Sequence, residues 1–205
     1  MFYFNAGFLK QPRVRRILAL AGYDLRLGLP KNDDLVAVWG HSPYAARGEA
    51  AAEKTGAAVV RVEDAYLRSL FPGRKGEPPI GLFVDHKAAH FNSKTPSDLE
   101  TLLAEHPLDD SALLNRARGA IERIKEAHLS KYTAFDPTAP CPEPGYVLVI
   151  DQTAGDASGT ASRADRNTFL EMLFVAETGS GPGQTFRALR LADGPDAVHR
   201  RQVAR

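Results

Sequence analysis

Residues 35–64 carry a pattern that few folds accommodate. Leu35-Val36-Ala37-Val38-Trp39 is an unbroken apolar run that stops at Gly40, and residues 47–55 then hold alanines with Glu49, Glu53 and Lys54. Such residues lose little side-chain freedom in a helix, and Gly56 supplies the turn that ends one. Ala58-Val59-Val60-Arg61-Val62 follows as a second strand. Strand, helix and strand together take about 28 residues, near the roughly 30 of a parallel crossover unit. Short apolar runs alternating with helical patterns along the chain extend this to an α/β fold with a largely parallel sheet.

The second strand runs directly into Glu63-Asp64. Ligands of open α/β sheets bind beyond the carboxyl ends of the strands, so topology makes this pair a candidate chemical centre. A solvated turn or a helix N-terminus is the competing reading. Arg68 lies four residues beyond Asp64, one helical turn if the loop enters a helix, and either receives an anion or pairs with Asp64. Ser69 adds a hydroxyl that serves a ligand or a cap; no Gly-x-Ser-x-Gly elbow surrounds it to make a nucleophile.

Residues 71–79, with Pro72, Gly73, Gly76, Pro78 and Pro79, form a loop, and residues 80–84 return to strand chemistry before Asp85. Thr95-Pro96-Ser97-Asp98 opens a helix, with Pro at an early position and Leu99, Leu102 and Leu103 on its apolar face. Apolar residues at three- and four-residue spacing predict a further helix over residues 110–129. At its end, Lys131 meets the negative end of the helix dipole or contacts a ligand.

Pro137, Pro140, Pro142 and Pro144 make residues 135–145 a stiff linker after a first lobe of residues 1–134. Residues 146–150 are an apolar strand, and residues 165–177 a helix. The connection between them holds Gln152, Thr153 and Ser158 as candidates for donor or acceptor contact, since helix starts favour anions. Asp156 is cast as a helix cap. Residues 179–205 offer Gly, Pro, Ala and Arg with no recognisable strand, which predicts a non-family, frameshifted or disordered tail. One strand and one helix cannot bury both faces of a sheet, so residues 146–178 read as the start of an incomplete second lobe, and the chain as a truncated reading of a longer protein.

Lys and Arg total 26 against 25 Asp and Glu, a balance that argues against nucleic acid as a partner. The single cysteine, Cys141, excludes an internal disulfide framework, and no stretch reaches the roughly 18 apolar residues of a membrane span, so a cytoplasmic protein is expected. His41, His86, His90, His106, His128 and His199 lack the spacing of a metal site, with Asp85-His86 the one pair to follow. Tyr3, Phe4, Phe8 and Leu9 either pack inside the domain or touch lipid beside Arg13, Arg15 and Arg16.

Four segments in this order, Val36-Ala37-Val38-Trp39-Gly40, Arg61-Val62-Glu63-Asp64-Ala65-Tyr66-Leu67-Arg68-Ser69, Thr95-Pro96-Ser97-Asp98-Leu99-Glu100 and Leu129-Ser130-Lys131-Tyr132, resemble the capsule polysaccharide biosynthesis family. Val147-Leu148-Val149-Ile150-Asp151-Gln152 and Gly155-Asp156-Ala157-Ser158 are similar to the start of that family's second lobe. The resemblance implies a Rossmann-like, GT-B-type glycosyltransferase lobe. It also implies retaining β-Kdo transfer from the donor CMP-Kdo to a lipid-linked acceptor, without metal or other cofactor, in capsule assembly and export. Asp64 and Glu63 are then the catalytic candidates, Arg68, Ser69, Gln152, Thr153 and Ser158 the substrate-binding ones, and the partners a nucleotide-sugar donor and a glycolipid acceptor. A peripheral position at the inner membrane or in a capsule export complex follows from the same resemblance.

The chain departs from the family in two places. Ala65 stands where the family has Gly, which would strain a backbone that needs positive φ. No His-Pro motif for the nucleotide phosphate follows Ile150, and His106-Pro107 lies between two first-lobe helices. These departures predict that the 205-residue chain is inactive as a transferase, and they keep a non-catalytic scaffold module in capsule assembly as the alternative.

Overall fold

The computed structural model describes residues 1–134, 136, 138, 140, 143–144, 146–151, 156–179, 185–190 and 201–203. The chain divides into two compact units, Met1–Pro137 and Thr138–Arg205.

The first unit is built on a four-stranded sheet, β1 (Phe2–Tyr3), β2 (Leu35–Trp39), β3 (Ala58–Asp64) and β4 (Leu82–Asp85), in that spatial order. β1, β2 and β3 run parallel, while β4 returns antiparallel on β3 with Glu63 opposite Phe83 and Asp64 opposite Leu82. The acidic pair therefore forms the last two residues of β3, still within the ladder. Between β2 and β3 lies α3 (Ala46–Thr55), ended by Gly56 in the left-handed conformation at φ 74°.

Alternation along the strands sends side chains to opposite faces of the sheet. On one face Ala37 and Val62 pack with Tyr3 and with Phe8, Val14 and Leu18 of α1 (Ala6–Lys10) and α2 (Pro12–Leu20). On the other, Val36 and Val38 pack with Ala45 and with Ala52 of α3. Each fully buried Val, Leu or Phe contributes about 1.5–3 kcal/mol, so these two small cores hold the sheet. Tyr3 and Phe8 are buried, which settles the N-terminal aromatics as core residues, although Leu9 is half exposed.

Two helices follow β4. In α4 (Asp98–Glu105) the N-cap is Ser97, whose hydroxyl accepts from Glu100 N–H while the Glu100 carboxylate accepts from Ser97 N–H. Pro96 thus precedes the cap and lies outside the helix. Asp85 is fully buried and accepts backbone N–H groups from Lys87, Ala88 and Asp98, each at 2.8 Å. It ties the end of β4 to the start of α4, while His86 bonds Tyr23 and Asp98, so that pair is structural. Helix α5 (Ser111–Glu126) stops three residues short of the expected end, because His128 turns to φ 51°.

In the second unit, β5 (Tyr146–Asp151) is followed by α6 (Ala157–Ala161) and α7 (Arg166–Thr178), with Asp156 and Asp165 as their N-caps. The expectation of no strand in residues 179–205 is corrected. β6 (Thr185–Arg190) pairs parallel with β5 over six positions, and β7 (Arg201–Val203) pairs antiparallel with β6. Arg187 and Arg190 break the apolar pattern that announces a strand. The ladder offered by β5 fixes this one, since strand preference depends more on neighbours than on intrinsic propensity. No helix among the described residues is long and apolar enough to cross a membrane.

Candidate functional site

Because β2 and β3 are parallel, the segments that leave them emerge at the same edge of the sheet: Gly40-His41-Ser42 after β2, and Ala65 onward after β3. Glu63 and Asp64 sit at this edge but are consecutive strand residues, so their side chains leave opposite faces and form no carboxylate dyad.

The Glu63 carboxylate lies against Gly40. A Cβ built on Gly40 would stand 1.8 Å from Glu63 Oε1, and Gly40 has φ 45°, a conformation costly to any residue with a side chain. Glu63 Oε2 accepts the N–H of Asp64 at 3.2 Å. Its geometry is that of a residue fixing the strand end. On the same face Arg61 bonds the Gly40 carbonyl at 2.6 Å and pairs with Glu49 of α3 at 2.8 Å.

Asp64 takes part in a different network. Its Oδ2 receives Arg68 Nε at 2.8 Å, and Arg68 Nη1 donates to Ser69 Oγ at 2.7 Å and to the Glu77 carbonyl at 2.9 Å. Ser69 Oγ in turn donates to the Phe71 carbonyl. Arg68 is 4% exposed, so its charge faces inward and positions Asp64 and the 71–77 loop. The loop after Asp64 does not enter a helix, so no helical turn links Asp64 to Arg68. Arg68 and Ser69 instead donate their N–H groups to the Lys131 carbonyl, and Ser69 bridges to Tyr132 as a short parallel ladder. That pairing accounts for Ser130-Lys131-Tyr132, which secures the loop after β3. Asp64 Oδ1 is buried and makes no hydrogen bond among the described residues. One oxygen is therefore held by a guanidinium and the other has no partner among the described residues, in a side chain 17% exposed.

Ala65 is absent from the residues at positive φ, so its methyl group introduces no backbone strain. Ser158 lies in the second unit, where its N–H and hydroxyl bond the Asp156 carboxylate. Gln152 and Thr153 lie outside the described residues, as does Cys141.

Two residues missed by the sequence reading stand at the same edge. His41 Nε2 and Ser42 Oγ are buried without a hydrogen-bond partner among the described residues. Their signal was the rule applied to Glu63: they follow the carboxyl end of a parallel strand. Burial, reinforced by the Arg61 charge, holds the His41 imidazole below its ordinary value of 6.5 despite the opposing Glu49 carboxylate. The folded state therefore binds this proton less readily than the unfolded chain, which takes up more protons as pH falls. Stability should decline on acidification from about pH 7 to about pH 5, and His41→Gln should flatten that decline. Parallel pH profiles for the two proteins in urea unfolding would refute the assignment.

A largely parallel sheet with helices on both faces and a carboxylate held at the strand edge defines a mixed α/β class of protein. Comparison with known proteins specifies the class further. The capsule polysaccharide biosynthesis protein family matches residues 34–143. Capsule polysaccharide modification protein LipA of Neisseria meningitidis serogroup B is 32% identical over 158 residues, covering 74% of this chain and 22% of LipA. Lipopolysaccharide-processing protein LpsZ of Rhizobium meliloti is 35% identical over 120 residues, 55% of this chain and 27% of that protein. Among solved structures, the Thermosulfurimonas dismutans KpsC β Kdo 2,4 transferase superposes with a TM-score of 0.80 at 28% identity, over 92% of this chain and 60% of that one. The chain belongs to the capsule polysaccharide biosynthesis protein family. It spans about a quarter or less of the length of these curated relatives.

Proposed function

We propose that the chain contributes the first lobe of a GT-B-type transferase that moves Kdo from CMP-Kdo to a lipid-linked acceptor in capsule biosynthesis. The observation that carries this reading is Asp64: a carboxylate at the end of a parallel strand, with Arg68 on Oδ2 and no partner on Oδ1 among the described residues. The likeness to a β Kdo transferase structure supports the substrate class.

In the reaction, the bond between the Kdo anomeric carbon and the cytidylate oxygen breaks, the electron pair leaves with CMP, and positive charge grows on the sugar ring. A carboxylate held in place stabilises that charge, attacks the anomeric carbon, or takes the proton of the acceptor hydroxyl. Arg68 acts through Asp64 as a positioning residue. It keeps the carboxylate oriented, since its Nε–H donates to Asp64 Oδ2 at 2.8 Å from a buried side chain. Glu63 supports the same strand end through Gly40.

The test is a graft of residues 1–178 into the matching region of the Thermosulfurimonas enzyme, assayed by CMP release with CMP-Kdo and a Kdo-terminated glycolipid. Transfer is expected in the graft, with a fall of about 100-fold or more for Asp64→Asn. The ungrafted 205-residue chain is expected to release no CMP. Full turnover by the Asp64→Asn graft would remove Asp64 from the chemistry, and capsule assembly that survives Asp64→Ala in cells would favour a scaffold.

A further inference from the structure

A concavity of the first unit lies outside this strand edge. It is an open pocket of about 690 Å³, within the range of sites that take nucleotide-sized or headgroup-sized ligands. One wall is Lys10 at the end of α1 with Gln11, Pro12, Arg13 and Arg16 of the α1–α2 junction; the other is Gly73, Gly76, Glu77 and Pro78.

Charge and packing both mark this pocket. Val14 and Leu18 bury the inner face of α2, which leaves Arg13 and Arg16, three residues apart, side by side on the outer face. Lys10, Arg13 and Arg16 are exposed, and none of them forms an ion pair among the described residues. Arg61 and Arg68 of the same unit, by contrast, are each committed to a carboxylate. Three cations and the single carboxylate of Glu77 line the pocket, which leaves two positive charges in excess.

The opposite wall is built in advance. Arg68 Nη1 bonds the Glu77 carbonyl, and a Cβ on Gly73 would stand 2.3 Å from Arg68 Nη2, so the loop is seated directly on the buried guanidinium. A tight turn at residues Gly73–Lys75, closed by Gly76 at φ 83°, completes it. The pocket thus pairs a fixed backbone wall with a wall of unengaged cations.

We propose that this pocket binds a phosphate-bearing ligand, with Arg13 and Arg16 as the principal contacts and Lys10 as a supporting charge. Guanidinium groups match phosphate oxygens in bidentate geometry, and two excess positive charges suit a dianionic or diester phosphate better than a neutral sugar. The phosphate belongs either to a soluble nucleotide or to a lipid headgroup, and the chemistry at the pocket is the same. This assignment stands independently of Asp64 and the transfer reaction.

The experiment measures binding of the 205-residue chain to CMP and inorganic phosphate by calorimetry, and to phosphatidylglycerol vesicles against pure phosphatidylcholine vesicles by co-sedimentation. Arg13→Ala/Arg16→Ala is compared with Arg116→Ala/Arg123→Ala, which removes two exposed charges from α5. Binding should weaken about tenfold or more in the first variant and less than about twofold in the second. Loss confined to CMP or phosphate identifies a soluble ligand, and loss confined to anionic vesicles a lipid headgroup. Failure to bind any of the probes, or equal loss in both variants, overturns the proposal. Matching circular dichroism melts for the variants and the parent establish that the comparison is between folded proteins.

Discussion

Arg68→Ala is expected to lower the unfolding free energy of the first unit by about 3–5 kcal/mol. The side chain is 4% exposed and serves three acceptors: the Asp64 carboxylate, the Ser69 hydroxyl and the Glu77 carbonyl. Truncation leaves a largely buried carboxylate without its cation and releases the loop that carries Gly73 and Glu77. Urea unfolding followed through the single tryptophan, Trp39, reports on this unit, because Trp39 packs against Phe8. Arg68→Lys should recover only part of the loss, since one ammonium cannot span the acceptors that the guanidinium fork reaches. The double change Asp64→Leu/Arg68→Met should be less damaging than Arg68→Ala alone, because removing both charges abolishes the desolvation cost. A single variant within about 1 kcal/mol of the parent would mean that the network does not hold the loop.

Gly40→Ala is expected to be nearly as damaging, by a different route. At φ 45° the left-handed backbone costs a non-glycine residue about 1–2 kcal/mol, and the new methyl group would collide with Glu63 Oε1, adding about 1–3 kcal/mol of overpacking. The two contributions separate in a double-mutant cycle. With Glu63→Ala in place the collision disappears and only the backbone cost remains, so Gly40→Ala should be markedly cheaper in that background. An equal cost in both backgrounds would place Glu63 away from Gly40 in solution.

The parts of the fold legible in the sequence were those with a strong local signal. The β2–α3–β3 unit declared itself through two apolar runs, an alanine-rich helix and Gly56, and the structure places all three within a residue or two. The antiparallel direction of β4 was not legible, because its four residues follow a loop whose path is set by Arg68 and not by local preference. β6 escaped notice because Arg187 and Arg190 make its sequence look like a tail until β5 supplies the ladder.

At the site, the strand-end rule located Glu63 and Asp64 but could not divide their labour. That division follows from strand alternation, which directs Glu63 toward Gly40 and Asp64 toward Arg68. The choice for Arg68 between ligand and salt bridge depended on burial, a property of the assembled loop. His41 and Ser42 obeyed the same topological rule and were passed over because only metal spacing was sought among the histidines.

The parallel register of β2 and β3 also has a practical consequence. Everything that feeds into these strands enters at the far edge of the sheet, through the turn around Asp33 and the end of α3 at Gly56. Asp33, Glu53 and Lys54 are solvent-facing there. A fluorophore or tether attached at Asp33 or Lys54 stands a strand's length from Asp64, which makes these positions suitable handles for immobilising the protein with its strand-end edge turned outward.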